Sequence, residues 1–132
     1  MIVVDSSAVV AIIKDEPEYE RFVALIEADG GAVISAANYL EASMACEGVE
    51  GAAGRALFER EFGLIERLGL SVAPIDRNLA ELAREGFRRY GKGRHPAGLN
   101  FGDCFAYALA KALDAPLLFK GDDFAKTDVK RV

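Results

Sequence analysis

A chain of 132 residues, 52% apolar and 28% charged, has the length of one domain (residues 1–132) and enough apolar side chains for an ordinary core, which excludes a disordered tail or a disulfide-stapled miniature. Its net charge of −5 argues against a protein that coats nucleic acid through an overall basic surface, and no apolar run approaches the roughly 20 residues needed to span a bilayer. Cys46 and Cys104 lack metal-ligand spacing and read as buried free thiols, so a cytoplasmic protein with no membrane association is expected.

Ile2 to Val4 is the first strand; Asp5, Ser6 and Ser7 interrupt the apolar run, which therefore does not read as a signal peptide. Ser6 or Ser7 is expected to cap a helix through Ile13. Pro17 breaks that helix, and a second starts near Glu18, carries Phe22, Leu25 and Ile26 at helical spacing, and ends at Gly30-Gly31. Ala32 to Ile34 is the second strand. Ser35 or Asn38 opens a helix expected to turn Leu40, Met44 and Ala45 inward until Gly48 and Gly51, and a further helix spans about Ala52 to Leu68.

Leu70 to Pro74 is the third strand, Asp76 caps a helix to about Tyr90, and a loop containing glycine and proline leads to Leu99. The last long helix follows Asn100, with Phe101, Phe105 and Leu109 beside Cys104, Ala108 and Ala112 as an apolar face. Leu117 to Phe119 is a fourth strand, and Val129 to Val132 is a candidate short edge. Continuous apolar strands alternating with helices predict an α/β fold, a parallel sheet of about four to five strands flanked by helices.

Four acidic positions fall where these elements begin or end. Asp5 follows the first strand, Glu41 and Asp103 lie in the first turns of helices, and Asp122/Asp123 follow the last strand. Each has a structural explanation: Asp5 as a cap, Asp122/Asp123 as a turn, and the spacings Asn38-x-x-Glu41 and Asn100-x-x-Asp103 as capping boxes. Helices of a parallel sheet begin where strands end, so all four belong on one edge. A carboxylate cluster there calls for a hard divalent cation, Mg²⁺ or Mn²⁺, able to support phosphodiester hydrolysis. His95 is the only histidine, which leaves no two-histidine chemistry within one chain. No Walker loop, GxSxG elbow or GxGxxG occurs.

From Arg84 to His95 the chain reads REGFRRYGKGRH, placing five of the 16 Lys and Arg in one short stretch. Arg88, Arg89, Lys92 and Arg94 are candidate phosphate contacts on an otherwise acidic body, against the alternative of a solvated helix end.

The segments IVVDSSAVVAII, SAANYLEASM, LNFGDCFAYALAKAL and LLFKGDDFAKTDV together resemble a PIN-domain ribonuclease, specifically a VapC-type toxin of a toxin–antitoxin pair. The resemblance implies Mg²⁺- or Mn²⁺-dependent cleavage of RNA, with Asp5, Glu41 and Asp103 as metal ligands and a fourth carboxylate from Asp122 or Asp123. Asp122 is preferred for its place at the strand end, and Asp123 is kept beside it. Ser6, Ser7 and Asn100 would support the ligands. The implied partners are an antitoxin protein, the RNA substrate and a second copy in a homodimer. The alternatives are a receiver-type phospho-acceptor domain, which would need an acceptor aspartate after the third strand, and a non-catalytic PIN-like binding module.

Overall fold

The computed structural model describes residues 1–132, the side chain of Val49 excepted. Four parallel strands, β1 (Val3–Val4), β2 (Val33–Ser35), β3 (Ser71–Ala73) and β4 (Leu117–Leu118), form one sheet in the order β3-β2-β1-β4. The connections between them carry α1 (Ser6–Ile13), α2 (Tyr19–Asp29), α3 (Ala36–Arg67), α4 (Arg77–Tyr90) and α5 (Phe101–Leu113). The expected α/β architecture is therefore present. Val129 to Val132 contributes one bridge, Arg131 to Leu117, rather than a full strand.

Because β1, β2 and β4 are buried on both faces, with only the edge strand β3 exposed, successive residues feed two separate cores. Val4, Ile34 and Leu118 point into the layer with Val9, Phe22, Ile26, Phe58 and Phe62, whereas Val3, Val33 and Leu117 point into the layer with Leu99, Tyr107 and Leu109. Ile26, Phe58 and Phe62 are thus core residues.

Two inward assignments are corrected. Leu40 and Met44 are 58% and 63% exposed, Ala45 is exposed beside them, and the face of α3 that packs inward carries Ala42 and Cys46 instead. In α5, Phe101, the first residue of the helix, is 81% exposed and Ala112 is exposed near its other end, while the buried face begins at Gly102 and Cys104. The two helices expected on either side of Gly51 are both present within α3, separated by a break at that residue, whose non-helical φ of 58° and ψ of −128° are open to glycine. The bend folds the second half against the first so closely that a Cβ on Gly54 would overlap the Cys46 carbonyl.

The chain end is held by charge and a phenol. Asp128 accepts from Tyr107 Oη at 2.9 Å, from Arg89 Nη1 at 3.2 Å and from Lys111 Nζ at 3.1 Å, fastening the C-terminal segment to α4 and α5. Burial and the neighbouring Asp128 carboxylate push the Tyr107 phenol well above its ordinary range, so it stays a donor.

Candidate active site

Strand order in this sheet reverses at β1, with β2 on one side and β4 on the other, and the crevice beyond the carboxyl ends of such strands is where an open parallel sheet binds ligands. Asp5 leaves β1 directly into that crevice. Not Ser6 or Ser7 but Asp5 is the N-cap of α1, its Oδ2 accepting from the Ser7 amide at 3.0 Å. Its other oxygen, Oδ1, is buried and meets no hydrogen-bond donor among the described residues. A buried carboxylate oxygen without a partner is costly unless a proton or a cation reaches it.

The other acids arrive from three separate segments. Glu41 lies in the second turn of α3, after Ser35 has capped that helix, and its Oε1 accepts from the Ser6 hydroxyl and from Asn38 Nδ2 at 3.2 Å. Asp103 sits in the first turn of α5 in a reciprocal capping box: its amide donates to Asn100 Oδ1 at 2.9 Å and its carboxylate accepts from the Asn100 amide at 3.1 Å. Asp122 and Asp123 follow β4 in an exposed turn that leads into a 3-10 helix at Phe124–Lys126.

Like charge shows that these groups share one neighbourhood. Burial raises the Asp5 carboxyl to about 6 against the lowering effect of the Ser7 hydrogen bonds, and the charges of Asp103 and Glu41 raise it further. Burial likewise raises Asp103 to about 6, with Glu41 and Asp123 adding to the rise. Of the Asp122/Asp123 pair, Asp123 is the one whose charge adds to the rise at Asp103. The lysine nearest in sequence does not offset the cluster, since Lys120 Nζ lies 3.3 Å from Glu16 and 3.2 Å from Glu18.

The donor set suits a hard cation, being all carboxylate oxygen with one buried oxygen left unpaired. It is not a closed cage: among the described residues, no three His, Cys, Asp or Glu side chains converge tightly enough to hold a metal ion as they stand.

Residues 2–130 match the PIN-domain family. The chain is 47% identical over 131 residues, 98% of its own length and 97% of theirs, to a VapC ribonuclease of Mycobacterium bovis and to ribonuclease VapC30 of Mycobacterium tuberculosis. The chain belongs to the VapC-type PIN-domain ribonucleases. At the level of fold, this PIN domain superposes on the M. tuberculosis VapC20 crystal structure, a sarcin–ricin loop cleaving toxin, with a TM-score of 0.76 at 15% identity, covering all of this chain and 98% of that one. It also superposes on FitAcB from Neisseria gonorrhoeae with a TM-score of 0.68 at 21% identity, covering 99% of this chain and 96% of that one.

Membership of this family displaces the receiver-type alternative, and the geometry agrees. Asp76, the first acid after β3, caps α4 by accepting from the Leu79 amide at 2.9 Å.

The remaining candidates divide. Ser6 touches Glu41, whereas Ser7 Oγ accepts from the Lys120 amide at 3.0 Å and so fastens the exit of β4 to the start of α1. Arg89 is engaged by Asp128 and Tyr107, and Arg88 pairs with Glu85 at 2.9 Å. Among the described residues Lys92 and Arg94 form no ion pair; Arg94 lies 4.9 Å over the Phe87 ring, beside a groove of about 770 Å³. That groove runs from α4 to the start of α5 and is floored by Ala83, Phe87, Leu99, Phe101, Cys104 and Phe105.

Two residues escaped the sequence analysis in this PIN domain. Asn38 read as a helix cap, yet it is fully buried and faces Glu41; the i, i+3 spacing on one helix face was the available signal. Gly102 lies in the first turn of α5, where glycine costs about 1 kcal/mol relative to alanine, and that cost was the sign of a close neighbour.

Proposed function

We propose that the protein is the toxin of a toxin–antitoxin pair and hydrolyses RNA phosphodiester bonds with Mg²⁺ or Mn²⁺ held by Asp5, Glu41, Asp103 and Asp123. The observation that carries this is Asp5 Oδ1, buried and without a donor at the strand-order reversal, where the charges of Asp103 and Glu41 are felt as well. A bound cation would supply charge neutralisation and a more acidic water at neutral pH. The chain's own part is to gather the carboxylates, to hold Glu41 through Ser6, and to keep Asp103 fixed through the Asn100 cap. Lys92 and Arg94, on the groove between α4 and the start of α5, then offer cationic phosphate contacts to a site whose acids by themselves repel a polyanion.

The test is cleavage of single-stranded RNA by the purified protein in Mg²⁺ or Mn²⁺ and in EDTA. Cleavage confined to the two metals is expected, and full activity in EDTA would remove the mechanism. The same assay ranks the turn residues: Asp123→Asn should lose on the order of a hundredfold or more in kcat/KM, and Asp122→Asn less than about threefold, because Asp123 is coupled to Asp103. The reverse ranking would restore Asp122 as the fourth ligand. Binding without cleavage in both metals would favour the non-catalytic module.

We further propose that a second copy packs on the apolar side of the groove at Phe101 and Phe87, leaving Lys92 and Arg94 open to RNA. Phe101 and Phe87 are exposed on a face whose floor is apolar, and a side chain as large as phenylalanine gains roughly 2 kcal/mol or more when such exposure is removed. Phe101→Glu should convert a dimer to a monomer in light scattering without lowering the melting temperature by more than a few degrees. A variant that remains dimeric at micromolar concentration would place the interface elsewhere. The family assignment also implies an antitoxin partner, for which an acidic pocket of this kind offers a guanidinium site. The solved relative from Rickettsia felis, VapBC2 bound to a DNA fragment of its promoter, superposes with a TM-score of 0.70 at 14% identity.

A further inference from the structure

Glu41 is the acid of the cluster with the longest side chain, and a carboxylate on a helix surface among like charges would turn outward to water. Three features act against that turn. The Ser6 hydroxyl and the Asn38 amide both donate to Oε1, which leaves Oε2 available. On the far side stands Gly102, whose missing side chain makes the room: a Cβ built there would fall 2.6 Å from Glu41 Cδ and closer still to Oε2.

Asn38 is itself fixed at every polar atom. Its Oδ1 accepts from Ser35 Oγ at 2.7 Å, its backbone N–H donates back to that hydroxyl at 3.0 Å, and Nδ2 donates both to Glu41 and to the Gly102 carbonyl at 2.9 Å. With the amide turned over, its oxygen would face a carboxylate and a carbonyl, so the hydrogen-bond pattern dictates one orientation. One fully buried side chain therefore ties the end of β2, the acid on α3 and the first turn of α5 into a single unit.

We infer that Asn38 and Gly102 are positioning residues that hold the Glu41 carboxylate in the site, one by a hydrogen bond and the other by leaving space. This rests on the nuclease assignment above, since it concerns how one proposed ligand is presented to the cation. Groups that orient a ligand without touching the metal are commonly worth about 10–100-fold in metal affinity.

Gly102→Ala is the discriminating variant. The atoms in its way are the far end of a flexible glutamate, so the fold should survive while the carboxylate is displaced. With Mn²⁺ alone as the probe, calorimetry should show affinity falling about tenfold or more, with an unchanged melting temperature in EDTA. In the RNA assay kcat should fall and KM should not. Asn38→Ala should show the same loss together with lower stability. In a Glu41→Ala background neither change should weaken Mn²⁺ binding further. Wild-type Mn²⁺ affinity in Gly102→Ala, or an equal loss with Glu41 already absent, would overturn the inference. Wild-type protein that neither binds Mn²⁺ nor cleaves would overturn the nuclease assignment and the inference with it.

Discussion

Asp5→Asn is expected to abolish RNA cleavage and, in the same molecule, to stabilise the cation-free protein. The two effects share one cause. Asp5 is buried, has one oxygen without a donor, and lies among the charges of Asp103 and Glu41, so its ionised form is disfavoured and its carboxyl titrates near 6 rather than at the ordinary 3.8. Ionising it at pH 8 therefore costs the folded state about 3 kcal/mol, at 1.36 kcal/mol for each pK unit. Asparagine keeps an oxygen for the Ser7 amide and puts a neutral NH₂ where the unpaired oxygen stood, toward acceptors rather than against them. In EDTA at pH 8 the variant should melt several degrees higher, since 1 kcal/mol is worth roughly 3–6 °C at this chain length. Cleavage should fall on the order of a thousandfold, the scale of losing a group that acts at the reacting centre. A variant that is inactive but no more stable would show that the carboxylate is already neutralised within the fold. One that cleaves normally would remove Asp5 from the site.

The same tension explains which parts of the molecule were legible in the sequence. Strands such as Val3–Val4 and Leu117–Leu118 were visible because a strand buried on both faces must be continuously apolar, and helix starts were visible because caps are local chemistry. Asp76 and Asn100 behave as their spacing suggested. What the local rules missed lies where an element serves two masters. Asn38 satisfies the spacing of a capping box, but Ser35 takes that role and frees Asn38 to face Glu41 across to α5. Leu40 and Met44 keep helical spacing with each other yet face outward, since periodicity defines a stripe and not the side on which the core lies. Asp122 and Asp123 could not be ranked by local rules because both occupy one exposed turn. The basic run showed its charges, but not that Arg89 is bound to Asp128, 39 residues further along the chain.

Acidification should stabilise the cation-free protein while weakening its hold on Mn²⁺ or Mg²⁺. Asp5 and Asp103 each titrate near 6 when folded and near 3.8 when unfolded, so between about pH 4 and 6 the folded state carries more protons than the unfolded one. Stability therefore rises as pH falls from 7 toward 5, the reverse of the usual behaviour of a carboxylate held by a cationic partner. Asp114 and Asp128 follow that usual behaviour. Hydrogen bonding to Lys130 depresses Asp114, and hydrogen bonds from Lys111 and Tyr107 outweigh the effect of burial at Asp128, so their contributions are lost only below the ordinary carboxylate range. A cation must displace whatever protons the two site carboxylates hold. Below pH 6 its apparent affinity should then fall up to about a hundredfold per pH unit if both are ligands, and tenfold if only one is. Melting curves with EDTA and with saturating Mn²⁺ test both effects at once. The rise given by Mn²⁺ should be large at pH 7.5 and nearly absent at pH 5, because ligand stabilisation follows the ratio of free cation to its dissociation constant. A rise independent of pH would mean that the cation binds away from these carboxylates. A cation-free protein that loses stability between pH 7 and 5 would mean that Asp5 and Asp103 are not the buried, mutually repelling pair that the crevice makes of them.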